Sequence, residues 1–164
     1  MNAKQSYTIT PDKFMDQGER NRLIKTCREK SQLDQMHGRI TWQVRWMLVD
    51  LALFSGLRVS EIAALRLYDL HLVKNDNYIL VRKGKRNKSR GVYINAELAK
   101  HLKQFIELKK YFQQPITSDS PLFGSWRKGT FKPYSRTALK LSFKQAVKTA
   151  GLRDNISIHS ARHT

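Results

Sequence analysis

The segment over residues 41–55 constrains the fold most strongly, because apolar side chains recur there at three- and four-residue steps and cover much of the helix surface. This pattern predicts a mostly buried helix around which the rest of the chain must pack. Gly56 follows where a helix commonly ends on a left-handed residue. A short second helix is predicted to begin at Ser60 or just before it. The apolar positions of the first helix are Trp42, Val44, Trp46, Met47, Leu48, Val49, Leu51 and Phe54.

The other patterns predict a mainly helical α+β domain with a small antiparallel β-hairpin. A helix is expected to begin at Thr10, as N-cap, and Pro11, and to run to about Lys30, with a polar loop over residues 31–40. Alternating residues predict the hairpin, and glycines and prolines predict a loop over residues 113–133. The hairpin strands fall over residues 78–82 and 91–94, and further helices over 96–112, 135–150 and from about 157.

Charge indicates the kind of partner. The 164 residues include 31 Lys and Arg against 13 Asp and Glu, for a formal charge of +18, which favours a polyanion. Nucleic acid and an anionic membrane surface both fit this charge. The single cysteine excludes an internal disulfide and a cysteine-based zinc site, and we find no signal peptide or membrane-spanning run. We therefore expect a soluble, cytoplasmic protein that does not bind membranes.

Residues 55–61 form the first candidate site. Arg58 stands between two predicted helices, where it could be an ordinary helix-start residue paired with Glu61 three positions on. Alternatively, the corner presents a guanidinium beside a helix N-terminus, and both features bind phosphate oxygens. The spacing alone leaves both interpretations open.

The predicted hairpin tip, residues 82–90, is the second candidate. Six of its nine residues are cationic, which fits either a solvated loop or an arm that enters a nucleic-acid groove. We favour the nucleic acid, because six like charges on one turn repel one another. The cations of this tip that we predict to contact DNA are Lys83, Arg86, Lys88 and Arg90.

A third candidate lies at residues 158–164, where His159 and Arg162 share a helix face. His159 and His163 have a spacing that could bind zinc, but there is no evident third ligand and the arginine opposes a cation, so we predict no metal. Histidine and arginine together suit an anionic oxygen that gains charge in a transition state. A helix end without special function is the alternative.

Basic residues also recur every four positions along the predicted helix over residues 135–150. The stripe is either a solvated face or a surface for a phosphate backbone, and we favour the second. Its members are Arg136, Lys140, Lys144 and Lys148, of which the first three are our candidate DNA contacts.

The order of these motifs, from about Thr10 to the end, closely resembles the catalytic domain of the tyrosine recombinases, the phage integrase family. The resemblance implies a metal-independent, cofactor-free transfer of a DNA phosphodiester through a 3′-phosphotyrosine. Arg58 and Arg162 resemble the two arginines that clamp the phosphate, and His159 the histidine that assists proton transfer. Lys85 resembles the hairpin lysine that protonates the leaving oxygen, with Lys83 as the alternative, and Glu61 the acidic residue that supports the arginine corner.

The sequence also departs from the family pattern. The family's nucleophilic tyrosine follows the His159–Arg162 motif, whereas all six tyrosines here precede it. We therefore expect residues 1–9 to be a linker remnant and residues 10–164 a C-terminally incomplete catalytic domain. Such a chain would bind double-stranded DNA as a monomer without cleaving it, while the full-length enzyme would form a tetramer on DNA.

Three alternatives remain open on the sequence. The chain could be a non-catalytic DNA-binding relative of the family, or a type IB topoisomerase-like protein, which shares the arginine, lysine and histidine chemistry. A basic RNA-binding module is a more distant possibility.

Overall fold

Helix α2 (Thr41–Phe54) is the central element of the computed structural model, which describes residues 14–82, 86 and 88–162. Met47, Leu48 and Leu51 on this helix are fully buried. Four other helices pack against it: α1 (Gln17–Met36), α4 (Ala96–Tyr111), α5 (Arg136–Thr149) and α6 (Ile158–Arg162). The prediction of a buried central helix is confirmed.

Helix α1 differs from its prediction at both ends. It begins after Asp16, which forms a capping box with Glu19, and it continues to Met36. The predicted loop over residues 31–40 is therefore wrong for its first six positions. Polar Asp34 is buried there because its carboxylate accepts hydrogen bonds from the Trp42 N–H and the Arg39 guanidinium. The predicted start at Thr10 and Pro11 lies outside the described residues, but residues 14–16 are not helical, so the predicted helix is wrong over these positions.

The predicted hairpin is part of a three-stranded antiparallel sheet. Its strands, in spatial order, are β1 (Leu70–Val73), β2 (Asp76–Val81) and β3 (Arg90–Tyr93). The strand pair β2–β3 confirms the prediction. Strand β1 is not predicted, because its four residues are too few to show a clear alternation. Ile79 and Val81 face the core, whereas the outer face carries Tyr78 and Tyr93 in edge contact.

A second hairpin lies within the segment predicted as loop. It consists of β4 (Gly124–Arg127) and β5 (Thr130–Pro133), joined by Lys128 and Gly129. Both joining residues have positive φ, at 49° and 78°, which is the signature of a type I′ turn. The two strands of four residues are too short to give a clear alternation.

The later helices agree with their predictions. Asn95 caps α4 and Ser135 caps α5, each through a side-chain oxygen that accepts a backbone N–H three residues on. One residue on the inner face of α4 is unexpected, since Lys109 is fully buried. The mainly helical α+β class is confirmed. No helix in the described ranges is long and apolar enough to cross a membrane.

Candidate active site

The corner between α2 and α3 (Val59–Ala63) directs Arg58 toward solvent. Gly56 adopts φ 68°, the left-handed conformation that ends α2 and that other residues adopt only under strain. Leu57 and Val59 are both buried, so Arg58 between them is turned outward. Its side chain is 44% exposed, and the residue is the N-cap of α3. The corner thus presents a guanidinium at a defined position.

Glu61 holds Arg58 at two points. Its Oε2 accepts the Arg58 backbone N–H at 2.8 Å, and its Oε1 lies 3.3 Å from Arg58 Nη1. The predicted pairing at three-residue spacing therefore exists. It leaves the Arg58 side chain accessible, so the structural and functional interpretations of this residue are compatible.

Arg90, at the start of β3, is a second partner of Glu61. Its Nη1 and Nη2 donate to Glu61 Oε1 and Oε2 at 2.8 and 3.1 Å, as a two-pronged pair. Burial alone would raise the pKa of Glu61, but the hydrogen bonds from Arg90 and the Arg58 backbone outweigh it and bring the pKa below 4.5. The same hydrogen bond raises the pKa of Arg90. Glu61 is therefore a carboxylate fixed between two cations.

The sequence motifs do not reveal this role of Arg90. The alternation of side chains along β3 indicates that Arg90 faces inward. Arg90 and Val92 lie on the same face of the strand and are half-buried, whereas Gly91 and Tyr93 are exposed. The partner could not be inferred in this way, since Glu61 lies 29 positions earlier in the chain.

Arg162 reaches the same corner from the other end of the chain. Its Nε donates to the Gly56 carbonyl at 2.9 Å, although the two residues are 106 positions apart. Helix α6 is fastened by buried Ile158 and Ala161 and packs against α2 and α5. The two predicted arginines are thus brought to one place. His159 is exposed on this helix, and His163 lies outside the described residues.

The hairpin tip can be described only in part. Arg86 and Lys88 are exposed, whereas Lys83 and Lys85 lie outside the described residues. Arg82, at the other strand end, donates from Nε to the buried carboxylate of Asp69 at 2.7 Å. Both ends of the tip are therefore anchored by guanidinium–carboxylate pairs.

The stripe on α5 does not have one function along its length. Arg136 and Lys140 are exposed, as a contact surface requires. Lys144 is also exposed, but its ammonium donates to the carbonyls of Asp154 and Ile156 in the connection to α6. This lysine therefore holds the segment that positions Arg162.

Arg58 and Arg162 bring two guanidiniums to one corner of the molecule. Within residues 14–82, 86 and 88–162, no three His, Cys, Asp or Glu side chains lie close enough together to hold a metal ion. Convergent guanidiniums are suited to holding an anion whose charge grows during a reaction.

The chain belongs to the phage integrase family, whose model matches residues 13–164. It is 31% identical over 117 residues to the tyrosine recombinase XerC of Chlamydia caviae, covering 71% of this chain and 35% of that protein. It is also 31% identical over 137 residues to XerC of Halalkalibacterium halodurans, covering 80% of this chain and 43% of that protein. The chain thus spans less than half the length of these relatives.

Solved structures share the fold. The crystal structure of XerA recombinase matches 96% of this chain and 48% of its own at a TM-score of 0.70 and 22% identity. The structure of the XerH site-specific recombinase bound to palindromic difH substrate, in a post-cleavage complex, also matches. The match covers 93% of this chain and 40% of that one, at a TM-score of 0.69 and 22% identity. At these identities the likeness establishes the mainly helical recombinase fold.

Proposed function

We propose that this chain is part of the catalytic domain of a site-specific DNA recombinase and binds the phosphodiester at which the strand is cut. The observation that carries the proposal is the hydrogen bond from Arg162 to the Gly56 carbonyl, which places a second guanidinium beside the corner of Arg58. Two guanidiniums from opposite ends of the sequence supply the paired donors that a tetrahedral phosphate needs. Family membership supports the same assignment.

In the proposed reaction, a tyrosine hydroxyl attacks phosphorus, and the bond to the 5′ oxygen breaks. The products are a 3′-phosphotyrosine and a free 5′ hydroxyl, which takes its proton from Lys85. Arg58 and Arg162 bind the non-bridging oxygens, whose charge increases in the transition state, and His159 assists the transfer of the proton that the tyrosine hydroxyl gives up. A 5′ hydroxyl then reverses the step without any external energy source.

The nucleophile is not assigned to any tyrosine of this sequence, because all six precede His159. We therefore propose that the 164 residues bind double-stranded DNA but form no covalent link. The other proposed DNA contacts are Lys83, Arg86, Lys88, Arg136 and Lys140, of which those in the described residues are exposed.

Binding of a duplex of defined length, followed by fluorescence anisotropy at several salt concentrations, tests the first part. Arg58→Ala and Arg162→Ala should each weaken binding and lower the slope of log affinity against log salt by about 1, the effect of one lost phosphate contact. Lys110→Ala is the matched control, because this lysine is exposed in the last turn of α4 and belongs to none of the candidate motifs. Equal effects of all three substitutions would refute the proposed site.

A nicked suicide duplex tests the catalytic part. The 164-residue chain should give no adduct on a denaturing gel. The protein extended through the downstream reading frame should give one that Arg58→Ala and Arg162→Ala abolish. An adduct with the 164 residues would refute the assignment of the nucleophile, and an extended protein that binds but never cleaves would indicate a non-catalytic relative.

A further inference from the structure

The carboxylate of Glu61 contacts two guanidiniums, and the contacts of Arg90 are shorter than that of Arg58. Arg90 makes two charge-assisted hydrogen bonds to it, at 2.8 and 3.1 Å. Arg58 makes one short bond, from its backbone N–H at 2.8 Å, and its guanidinium lies farther away at 3.3 Å. The short contacts of Arg58 thus fix its main chain, while those of Arg90 neutralise the carboxylate.

Burial explains why this division matters. The Glu61 side chain is only 9% exposed, and a carboxylate in such a place requires a close cation. If Arg58 were the only cation available, it would form the two-pronged pair itself, and its charge would be cancelled. With Arg90 present, one carboxylate and two guanidiniums leave one positive charge at the corner. That charge lies on Arg58, whose guanidinium is the more distant of the two from the carboxylate, at 3.3 Å, and whose side chain is 44% exposed.

We infer that Arg90 is a positioning residue: by occupying Glu61 it keeps the Arg58 guanidinium free to bind a DNA phosphate. The inference rests on the proposed function, because it gives Arg58 a phosphate to bind. It also replaces our sequence-based prediction that Arg90 itself contacts DNA, since both terminal nitrogens of Arg90 are directed at Glu61. In addition, the pair fastens the base of the hairpin tip to α3.

A double-mutant cycle distinguishes a positioning residue from a direct contact. The DNA affinity of the chain is measured for Arg90→Met, Arg58→Ala and the double variant. Arg90→Met should weaken binding about tenfold, because Arg58 then turns onto Glu61 and one charge-assisted bond to phosphate is lost. In the Arg58→Ala background the same change should have less than about a twofold effect, since the residue through which it acts is absent.

Rescue provides the second readout. Glu61→Gln combined with Arg90→Met removes the carboxylate that would capture Arg58, so affinity should return to within about threefold of Glu61→Gln alone. A lost direct contact between Arg90 and DNA would not be restored in this way. Arg90→Lys should give an intermediate loss, because an ammonium keeps the charge but cannot form the two-pronged pair.

Arg82→Met is the matched control. It breaks a guanidinium–carboxylate pair of the same kind, with buried Asp69, at the other end of the hairpin tip. Any effect of this change on affinity should be the same with Arg58 present or replaced. Urea unfolding establishes that each variant is folded. If Arg90→Met does not fold, the cycle is completed with Arg90→Lys.

The outcomes separate the two proposals. If Arg58→Ala leaves DNA affinity unchanged, the proposed function fails, and the inference fails with it. If Arg58→Ala weakens binding while the Arg90 and Arg58 effects multiply independently and Glu61→Gln gives no rescue, only the inference is overturned. Coupling together with rescue supports both.

Discussion

Lys109 carries a charge in a place where burial disfavours it. Its side chain is fully buried, with the ammonium donating to Gln114 Oε1 at 3.0 Å and to the Leu122 carbonyl at 3.1 Å. The ammonium also lies 4.8 Å from the centre of the Phe131 ring. Both hydrogen-bond acceptors are neutral, so they offset only part of the lost hydration. Burial therefore lowers the pKa of Lys109 from 10.5 to about 8.

The cost to stability follows from this pKa. Below pH 8 the lysine is charged in both folded and unfolded chains, and the cost is fully present, at about 3 kcal/mol from about 1.4 kcal/mol per tenfold change in proton affinity. Above pH 10.5 it is neutral in both, and the cost is gone. Between these values the unfolded chain binds more protons, so the free energy of unfolding rises with pH. Lys109→Met removes this dependence.

Urea unfolding between pH 7 and 9, followed by tryptophan fluorescence, measures the effect. The wild type should gain about 1 kcal/mol over this range relative to Lys109→Met. The comparison between variants also cancels the buried thiol of Cys27, whose pKa burial raises to about 12 and whose contribution to stability is lost from pH 9 upward. Lys110→Met, at the exposed neighbouring position, should behave like the wild type. Parallel pH profiles for wild type and Lys109→Met would refute the reasoning.

Two further predictions concern packing and a fastening contact. Gly124→Ala should destabilise the fold by ~1–3 kcal/mol in urea unfolding, because the new Cβ would lie 2.5 Å from the Lys132 carbonyl oxygen. Gly91→Ala is the control and should cost less, because the atom nearest to its new Cβ is 3.7 Å away. Equal costs would contradict this argument. Arg153→Met should cost about 1 kcal/mol, since it breaks a two-pronged pair with Glu19, at 2.7 and 3.2 Å, that ties α1 to the α5–α6 connection. The hydrogen bond from Arg153 lowers the pKa of Glu19. The difference in free energy of unfolding between wild type and Arg153→Met should therefore be complete above pH 4.5 and shrink as the pH falls below it. A difference independent of pH would contradict this.

The parts of the fold that the sequence predicted are those with local signals. Ser135 marks the start of α5 because its side chain caps a backbone N–H only three residues away. The end of α1 had no such signal. Asp34 looks like a loop residue until its partner, the Trp42 N–H eight positions later, is known. Burial of a polar side chain thus depends on partners that composition does not reveal.

The candidate site divides in the same way. The motifs containing Arg58 and Arg162 were found from their order along the chain, and the structure brings them to one corner. The acceptor that orients Arg162 is a main-chain carbonyl, which has no residue signature. Likewise, the sequence presents Arg90 as one of several cations on a turn, because its partner Glu61 is on another element.

The contact between Arg162 and Gly56 has a consequence for how this domain holds together. The described part of helix α6, Ile158–Arg162, is held by buried Ile158 and Ala161 on the surface against which it packs. A DNA phosphate held by both Arg58 and Arg162 would bridge segments about 100 positions apart and bind only when α6 is seated. By mass action such a ligand would raise the free energy of unfolding by an amount that grows with the logarithm of its concentration above Kd. The DNA that we propose as the ligand of this site would then also stabilise the domain.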